Sequence, residues 1–297
     1  MNVAAPLKLR EPPAEAKAER RRVAAALTFR RSGRRSFLAR QYTPHPFHIT
    51  RPFHLEGDPD GMATLYLQSS SGGLYGDDDL SLQIGVKRGA SAHVTTQAST
   101  IVHAGRGGTT RHDVELDCAQ DSLLEYLPDP LILFADASLR SSLLVEVNRG
   151  ARLIFSDAFL AHDPKQGDAT FALFENDIEV RRKGEARPIL IDRMRLSRSS
   201  WPPAALENAG RYACHGSLCL LFDGASAEAA SAIKHSLADA GLERPLCYSG
   251  VNPLPERGLV WARFLCRDGV SLSKALQAAW RGARLALTGR APPARNK

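Results

Sequence analysis

Three consecutive carboxylates, Asp77, Asp78 and Asp79, follow three glycines in the segment SGGLYGDDDL. Carboxylate oxygens can converge on a hard cation, and glycines allow a backbone to fold tightly around it. A calcium-binding loop, however, has acids at alternate positions and a distant glutamate, and that spacing is absent here. Three consecutive side chains point in different directions. The spacing therefore favours a solvated turn over a metal site.

The same acids suggest a second chemistry. Asp77 or Asp78, together with Glu125, could form the carboxylic acid pair of a carbohydrate-active hydrolase built on a β-rich body. That hypothesis requires the two carboxyl groups to lie within about 10 Å of each other in a cleft.

Histidines and cysteines give little sign of a metal centre. The nine histidines are scattered, and the five cysteines include no CxxC pair. Cys214 and His215, with Cys219, form the one Cys/His grouping, and their position at the entry of a strand favours packing over metal binding. The sequence contains no GxSxG, HExxH, Walker or GxGxxG motif.

The charge and hydropathy of the sequence indicate its cellular location and its class of partners. The formal net charge of the 297 residues is +7, and the stretch from Lys17 to Arg35 is strongly basic. It favours a solvated arm, with a nucleic-acid surface as the alternative. We find neither the apolar core of a signal peptide nor a run long enough for a membrane helix. These patterns predict a soluble, cytoplasmic protein without nucleic-acid or membrane partners.

The elements that must position these residues follow from the hydrophobic periodicity. Alternating apolar and polar residues with frequent turns, from Ala24 to Arg195, predict an all-β sandwich, barrel or solenoid. Beyond Trp201 the pattern predicts a strand at 217–222, a helix from an N-cap at Ser226 to Gly241, a strand at 259–266 and a helix at 271–288. We therefore predict a basic, flexible arm (1–23), a β body (24–200), a packed β-α-β-α portion (201–290) and a disordered tail (291–297).

Several short motifs follow one another along the sequence. They are Arg51-Pro52-Phe53, Gly72-Gly73-Leu74-Tyr75-Gly76-Asp77-Asp78, Thr95-Thr96, Leu124-Glu125-Tyr126-Leu127-Pro128, Arg152-Leu153-Ile154-Phe155 before Asp157, Pro188 to Arg193, and Leu287-Thr288-Gly289-Arg290. Taken in this order, the motifs resemble the urease accessory protein family called UreD or UreH. They cover roughly residues 24 to 293. Asp77 stands where the family has a glycine and Tyr126 where it has tryptophan.

The resemblance implies a mainly β, two-layer solenoid and a scaffold that is not an enzyme. Such a protein binds apo-urease and, with the helical accessory protein UreF and the GTPase UreG, assists nickel insertion into the urease active site. No cofactor is expected to bind tightly, and Ni²⁺ would pass in transit through an internal tunnel. The acids matched to the family pattern as transit residues are Asp78, Glu125, Asp157 and Asp192. The alternative for each acid is a structural hydrogen bond or salt bridge. Gly72, Gly73 and Gly76 are expected to bend the turn.

Overall fold

A computed structural model describes residues 22–105, 108–165, 169–201 and 212–293. In these ranges the strands of the body are β1 (Arg22–Ser32), β2 (Arg35–Tyr42), β3 (Phe47–Ile49), β4 (Ala63–Ser69), β5 (Asp79–Val86), β6 (Ser91–Thr96), β7 (Ile101–Val102), β8 (Thr110–Cys118), β9 (Leu123–Leu127), β10 (Leu131–Phe134), β11 (Ser138–Val147), β12 (Arg152–His162), β13 (Leu173–Arg182) and β14 (Leu190–Ser197). The C-terminal elements are β15 (Cys214–Leu221), α1 (Ser226–Asp239), β16 (Cys247–Leu254), β17 (Leu259–Cys266) and α2 (Gly269–Thr288).

The strands form two facing sheets, and the chain passes repeatedly from one to the other. Sheet A has the order β14-β13-β11-β8-β5-β1-β2, and sheet B the order β16-β17-β15-β12-β9-β6-β4-β3, with β10 and β7 attached at β12. Successive strands of each sheet are parallel: β5, β8, β11 and β13 in sheet A, and β4, β6, β9 and β12 in sheet B. The predicted mainly β solenoid body is therefore confirmed.

Local sequence explains this arrangement. In β5, alternate side chains from Leu80 to Val86 are buried between the sheets, as a period of two requires. The turns KRGASAHV and NRGARLIF each begin a new strand in sheet B. Their glycines, Gly89 and Gly150, have φ of 67° and 76°, a conformation that side-chain-bearing residues rarely adopt.

The C-terminal portion extends sheet B and covers its outer face. β15 pairs antiparallel with β12, β17 pairs with β15, and β16 pairs with β17. Helices α1 and α2 pack on this face around buried residues such as Ile233, Leu272 and Trp280. β16 is one strand more than the predicted β-α-β-α order, because Gly250 and Pro253 obscure its strand pattern. None of the described helices has the length and apolar character needed to cross a lipid bilayer.

Two details of the sequence reading are wrong. The basic stretch is no arm from Arg22 onward, because Arg30 and Arg31 lie in β1 and Arg35 begins β2, a hairpin that pairs with β5 at the edge of the body. Helix α1 is capped at Ala225 without a side-chain hydrogen bond, and Ser226 lies buried in the first turn. The remaining part of the predicted arm, residues 1–21, lies outside the described residues, as does the predicted tail from residue 294 onward.

Candidate functional site

Sheet B is interrupted where β9 ends beside β12. The ladder between these strands runs to the pair of Phe155 and Tyr126, and β12 next pairs with β10 from Phe159 onward. Within the described chain, residues 156–158 therefore have no strand partner on this side. They face residues 128–130, in which both prolines lack the N–H group that a ladder hydrogen bond requires. We call this break in the ladder, bounded by 156–158 and 128–130, the window.

Cavities lie on both sides of the window. The inner cavity, between the two sheets, has a volume of about 510 Å³, and its polar lining includes His112 and Asp157. The outer cavity, between sheet B and the two helices, has a volume of about 990 Å³. Pro128, Asp129 and Ser156 line both cavities, so the two spaces adjoin at the window.

Asp157 is the acid at the inner side of the window. It lies on β12, is partly exposed and lines the inner cavity. Its Oδ2 accepts a 2.8 Å hydrogen bond from Asn176 Nδ2. Burial, reinforced by the negative charge of Asp192, raises the pKa of Asp157 to about 6, although the hydrogen bond from Asn176 opposes the shift. The carboxyl group can therefore gain and lose a proton near neutral pH.

Two further groups define the electrostatics of the inner face. Asp192, on β14, accepts a hydrogen bond from Arg263 of β17. Burial lowers the pKa of His112, although the Asp113 carboxylate acts in the opposite direction. A neutral imidazole and a weakly acidic carboxyl group thus face the same cavity. Of the four acids predicted from the sequence, the structure brings Asp157 and Asp192 close enough to interact electrostatically.

Glu125 occupies a different environment, on the helix-covered face of sheet B. Its side chain is fully buried and its carboxylate accepts hydrogen bonds from His93 Nδ1 at 2.8 Å, from Trp280 Nε1 at 3.1 Å and from the Arg284 guanidinium. Arg284 also donates from Nη1 to Asp58 Oδ1 at 2.9 Å. We call these five residues the buried ion cluster.

The buried ion cluster fixes the charge of Glu125. Burial alone raises the pKa of Glu125, but the hydrogen bonds from His93 and Arg284 and their positive charge outweigh it and lower the pKa to about 2. Burial likewise lowers the pKa of Arg284, but Glu125 and Asp58 together raise it above its ordinary value. A carboxylate held in this way cannot serve as a general acid at neutral pH, so Glu125 does not fit the acid-pair hypothesis. Its contacts instead join α2 to strands β6 and β9.

Asp78 stabilises the acidic turn. Its Oδ2 accepts a 2.8 Å hydrogen bond from the Tyr75 N–H, and its own N–H donates to the Tyr75 carbonyl at 3.0 Å. Asp77 has φ of 73°, the left-handed conformation that its place in the glycine-rich motif requires and that Asp tolerates better than most residues. The partner proposed for these acids, Glu125, lies under α2 on another sheet.

The turn glycines have backbone roles that a larger residue could not fill. Gly73 has φ of 144°, and a Cβ atom there would lie 2.4 Å from the Ile101 carbonyl oxygen. A Cβ atom on Gly76 would lie 2.3 Å from Gly105 Cα. The acidic turn therefore lies close against β7 and the chain that follows it.

The Cys/His grouping does not converge on a metal. Cys214 packs in the apolar cluster under the helices, whereas Cys219 packs between the sheets, on the opposite face of β15. His215 stacks on Phe159 at 5.6 Å between ring centroids. Across the described ranges, no three His, Cys, Asp or Glu side chains are arranged to hold a metal ion.

Sequence reasoning missed most of the buried ion cluster. Trp280 lies on the apolar face of α2, and Arg284, one turn later on the same face, also donates to Glu125. An arginine on an apolar helix stripe is a signal that a buried acid lies opposite, because an unpaired buried charge is very costly. The identity of that acid could not be read from the helix.

Comparison with known proteins assigns the chain to one family. The family model described as "UreD urease accessory protein" matches residues 22–297. "Urease accessory protein UreD 1" of Methylorubrum extorquens (strain PA1) is 38% identical over 293 residues, which cover 97% of this chain and 98% of that relative.

Two further relatives extend the match. "Urease accessory protein UreD 1" of Pseudomonas syringae pv. syringae (strain B728a) is 33% identical over 88% of this chain and 90% of its own length. "Urease accessory protein UreD 3" of Bradyrhizobium sp. (strain ORS 278) is 33% identical over 91% of this chain and 93% of its own length. The solenoid with its helical cover thus belongs to a class of accessory proteins. The chain is a member of the UreD urease accessory protein family.

Proposed function

We propose that this protein is a cytoplasmic scaffold, not an enzyme, that binds apo-urease and, together with UreF and UreG, assists the insertion of Ni²⁺ into the urease active site. Membership of the UreD family supports the role in urease maturation. The observation that carries the transit step is the window, where the inner and outer cavities share Pro128, Asp129 and Ser156.

In this proposal Ni²⁺ is the cargo and the window is its passage. A transit route needs donors that bind the ion weakly and release it, and oxygen and imidazole ligands are suited to this whereas a thiolate cage is not. The lining offers the Asp157 carboxyl group and the His112 imidazole. Since the pKa of Asp157 is about 6, proton binding competes with metal binding near neutral pH and favours release.

The locations of the other two acids support different roles for them. Glu125 holds the helical cover onto sheet B through Arg284, and Asp78 maintains the acidic turn. We therefore propose Asp157 as the transit acid, with Asp192 setting its charge state.

Co-purification tests the scaffold role. Tagged protein from a urease-producing host should retain urease subunits, UreF and UreG, and deletion of the gene together with any other UreD copy should abolish urease activation. Normal urease maturation in such a strain would overturn the proposal.

Obstruction of the window tests the transit step. Ser156→Leu places a larger side chain where both cavities meet, so urease activation should fall at least severalfold while the protein still binds its partners. Ser273→Leu, at an exposed position that lines the outer cavity alone, is the matched control and should activate normally. Equal activation by both variants would argue against passage through the window.

A further inference from the structure

Three cysteines lie side by side across the C-terminal strands of sheet B. The strand register places Cys266 of β17 opposite Cys247 of β16 on one side and opposite Cys214 of β15 on the other. All three are buried in the apolar cluster beneath α1 and α2. The Sγ atoms of Cys247 and Cys266 are 3.4 Å apart, and a disulfide requires a separation of about 2.0 Å. A small movement of the two side chains would close that gap.

The two thiols are chemically unequal. Cys266 donates its S–H to Cys247 Sγ, and this hydrogen bond lowers the pKa of Cys247 although burial opposes the change. The same contact, reinforced by burial, raises the pKa of Cys266. Cys247 is therefore the better nucleophile, because the thiolate is the reactive form of cysteine.

Position in the sheet gives Cys247 a route to solvent. β16 is an edge strand of sheet B in the described structure, so it can separate from its neighbour more easily than an inner strand can. The residues on either side, Leu246 and Tyr248, are 41% and 40% exposed. Cys219 offers a contrast, because β15 lies inside the sheet and Cys219 is opposite Phe155 and Trp261.

We propose that Cys247 and Cys266 form a dithiol site that low-molecular-weight disulfides oxidise reversibly to an intramolecular disulfide. The Cys247 thiolate attacks one sulfur of the small disulfide, forming a mixed disulfide and releasing one small thiolate. Cys266 then attacks the Cys247 sulfur, the mixed disulfide breaks, and the second small thiolate leaves. Two electrons pass from the protein thiols to the reagent, and the two thiol protons end on the released thiols.

The test uses the full-length reduced protein and 2-hydroxyethyl disulfide, followed by peptide mapping without reductant. We expect one cross-linked peptide pair that contains Cys247 and Cys266, while Cys118 and Cys219 stay reduced. Cys247 should react roughly tenfold or more faster than Cys219, because the hydrogen bond from Cys266 lowers the pKa of Cys247 whereas burial raises the pKa of Cys219. A bridge between Cys266 and Cys214, or no bridge at all, would overturn the assignment.

Variants separate the two steps. Cys247→Ala should abolish the bridge, whereas Cys266→Ala should accumulate the mixed disulfide at Cys247, since the resolving thiol is absent. Cys219→Ala is the matched control and should form the bridge at the rate of the parent protein. Circular dichroism recorded before the reaction establishes that each variant is folded. Rapid modification of Cys219 in the folded parent protein would show that the reaction follows unfolding, and that would contradict the proposal.

Discussion

The two faces of sheet B hold acids in opposite electrostatic states. On the helix-covered face, Glu125 is fully buried and permanently charged, with a pKa of about 2. At the inner side of the window, Asp157 has a pKa of about 6 and lines a cavity. Both acids were matched to the same family pattern, Glu125 within one motif and Asp157 just after another. The difference shows that a matched acid can be a structural anchor or a titratable group, and that its partners decide which.

The number and charge of their hydrogen-bond partners explain why the two acids have different pKa values. The Glu125 carboxylate accepts hydrogen bonds from the Arg284 guanidinium, an imidazole and an indole N–H, so its charge is compensated despite complete burial. Asp157 receives one amide hydrogen bond from Asn176 and faces the negative charge of Asp192. The charged form is therefore favoured at the first site and disfavoured at the second.

Removal of the arginine should give the largest effect on stability. Arg284→Met leaves Glu125 and Asp58 buried without their cation, so we expect a loss of about 3–5 kcal/mol in the free energy of unfolding, measured by urea denaturation. The matched control is Arg193→Met, which removes an exposed pair with Asp177, at 3.6 Å, and should cost less than about 1 kcal/mol.

A double variant sharpens this test. Glu125→Gln combined with Arg284→Met should cost less than the sum of the two single variants, because each single variant leaves a charge that the other removes. Additive losses would show that Glu125 and Arg284 are not energetically coupled, and the buried ion cluster would then not be the anchor of α2.

The contributions of the two acids to folding stability should change with pH in opposite directions. The pKa of Glu125 falls from 4.5 to about 2 on folding, so its contribution to stability is present above pH 4.5 and is lost as the pH falls toward 2. The pKa of Asp157 rises from 3.8 to about 6, so its contribution is present below pH 3.8 and is lost as the pH rises through 6.

Stability measured from pH 3 to pH 8 checks these signs. Relative to the parent protein, Asp157→Asn should become more stable between pH 4 and pH 7 by roughly 1–3 kcal/mol, since it carries no charge to bury. Glu125→Gln should show its destabilisation fully above pH 5 and less of it at pH 3. If Asp157→Asn followed the same pH dependence as the parent protein, Asp157 would not be the perturbed acid.

The acidic turn should give the smallest effects. Asp78→Ala removes a hydrogen bond to the Tyr75 N–H and should cost roughly 1 kcal/mol. Asp79→Ala removes a 4.0 Å pair with Arg22, whose side chain is 71% exposed, and should cost less. We also expect Asp78→Ala to impair urease maturation more than Asp79→Ala. If the two variants supported equal urease activity, Asp78 would have no special role in maturation and the segment would be an ordinary acidic turn.

Periodic elements could be predicted from sequence, whereas contacts between distant elements could not. The predicted strand at 259–266 is β17, and the predicted helix at 271–288 starts two residues inside α2, because their apolar spacing is regular. Glu125 and Arg284 are 159 residues apart, and no local pattern pairs them. In β1 the alternation of Ala25, Leu27 and Phe29 indicates a strand, whereas its basic residues, which lie on exposed positions, also suggest a solvated arm.

The window could be predicted from the sequence in part. Two prolines around Asp129 predict the end of a strand, and that much is readable from sequence. The register between β9 and β12 decides which residues lie opposite these prolines. It leaves Asp157 among the residues of β12 that have no strand partner on this side. The site thus arises from a local signal and a non-local pairing together.

We propose that Asp157 serves nickel transit, whereas Glu125 holds α2 onto sheet B. This division of roles can be tested by nickel-dependent urease activation with purified apo-urease, UreF, UreG and Asp157→Asn, a substitution of nearly unchanged shape. We predict that the variant folds and assembles with its partners but supports severalfold less nickel incorporation into urease, measured by metal analysis and ureolysis. Activation equal to that of the parent protein, with the variant fully assembled, would contradict the claim.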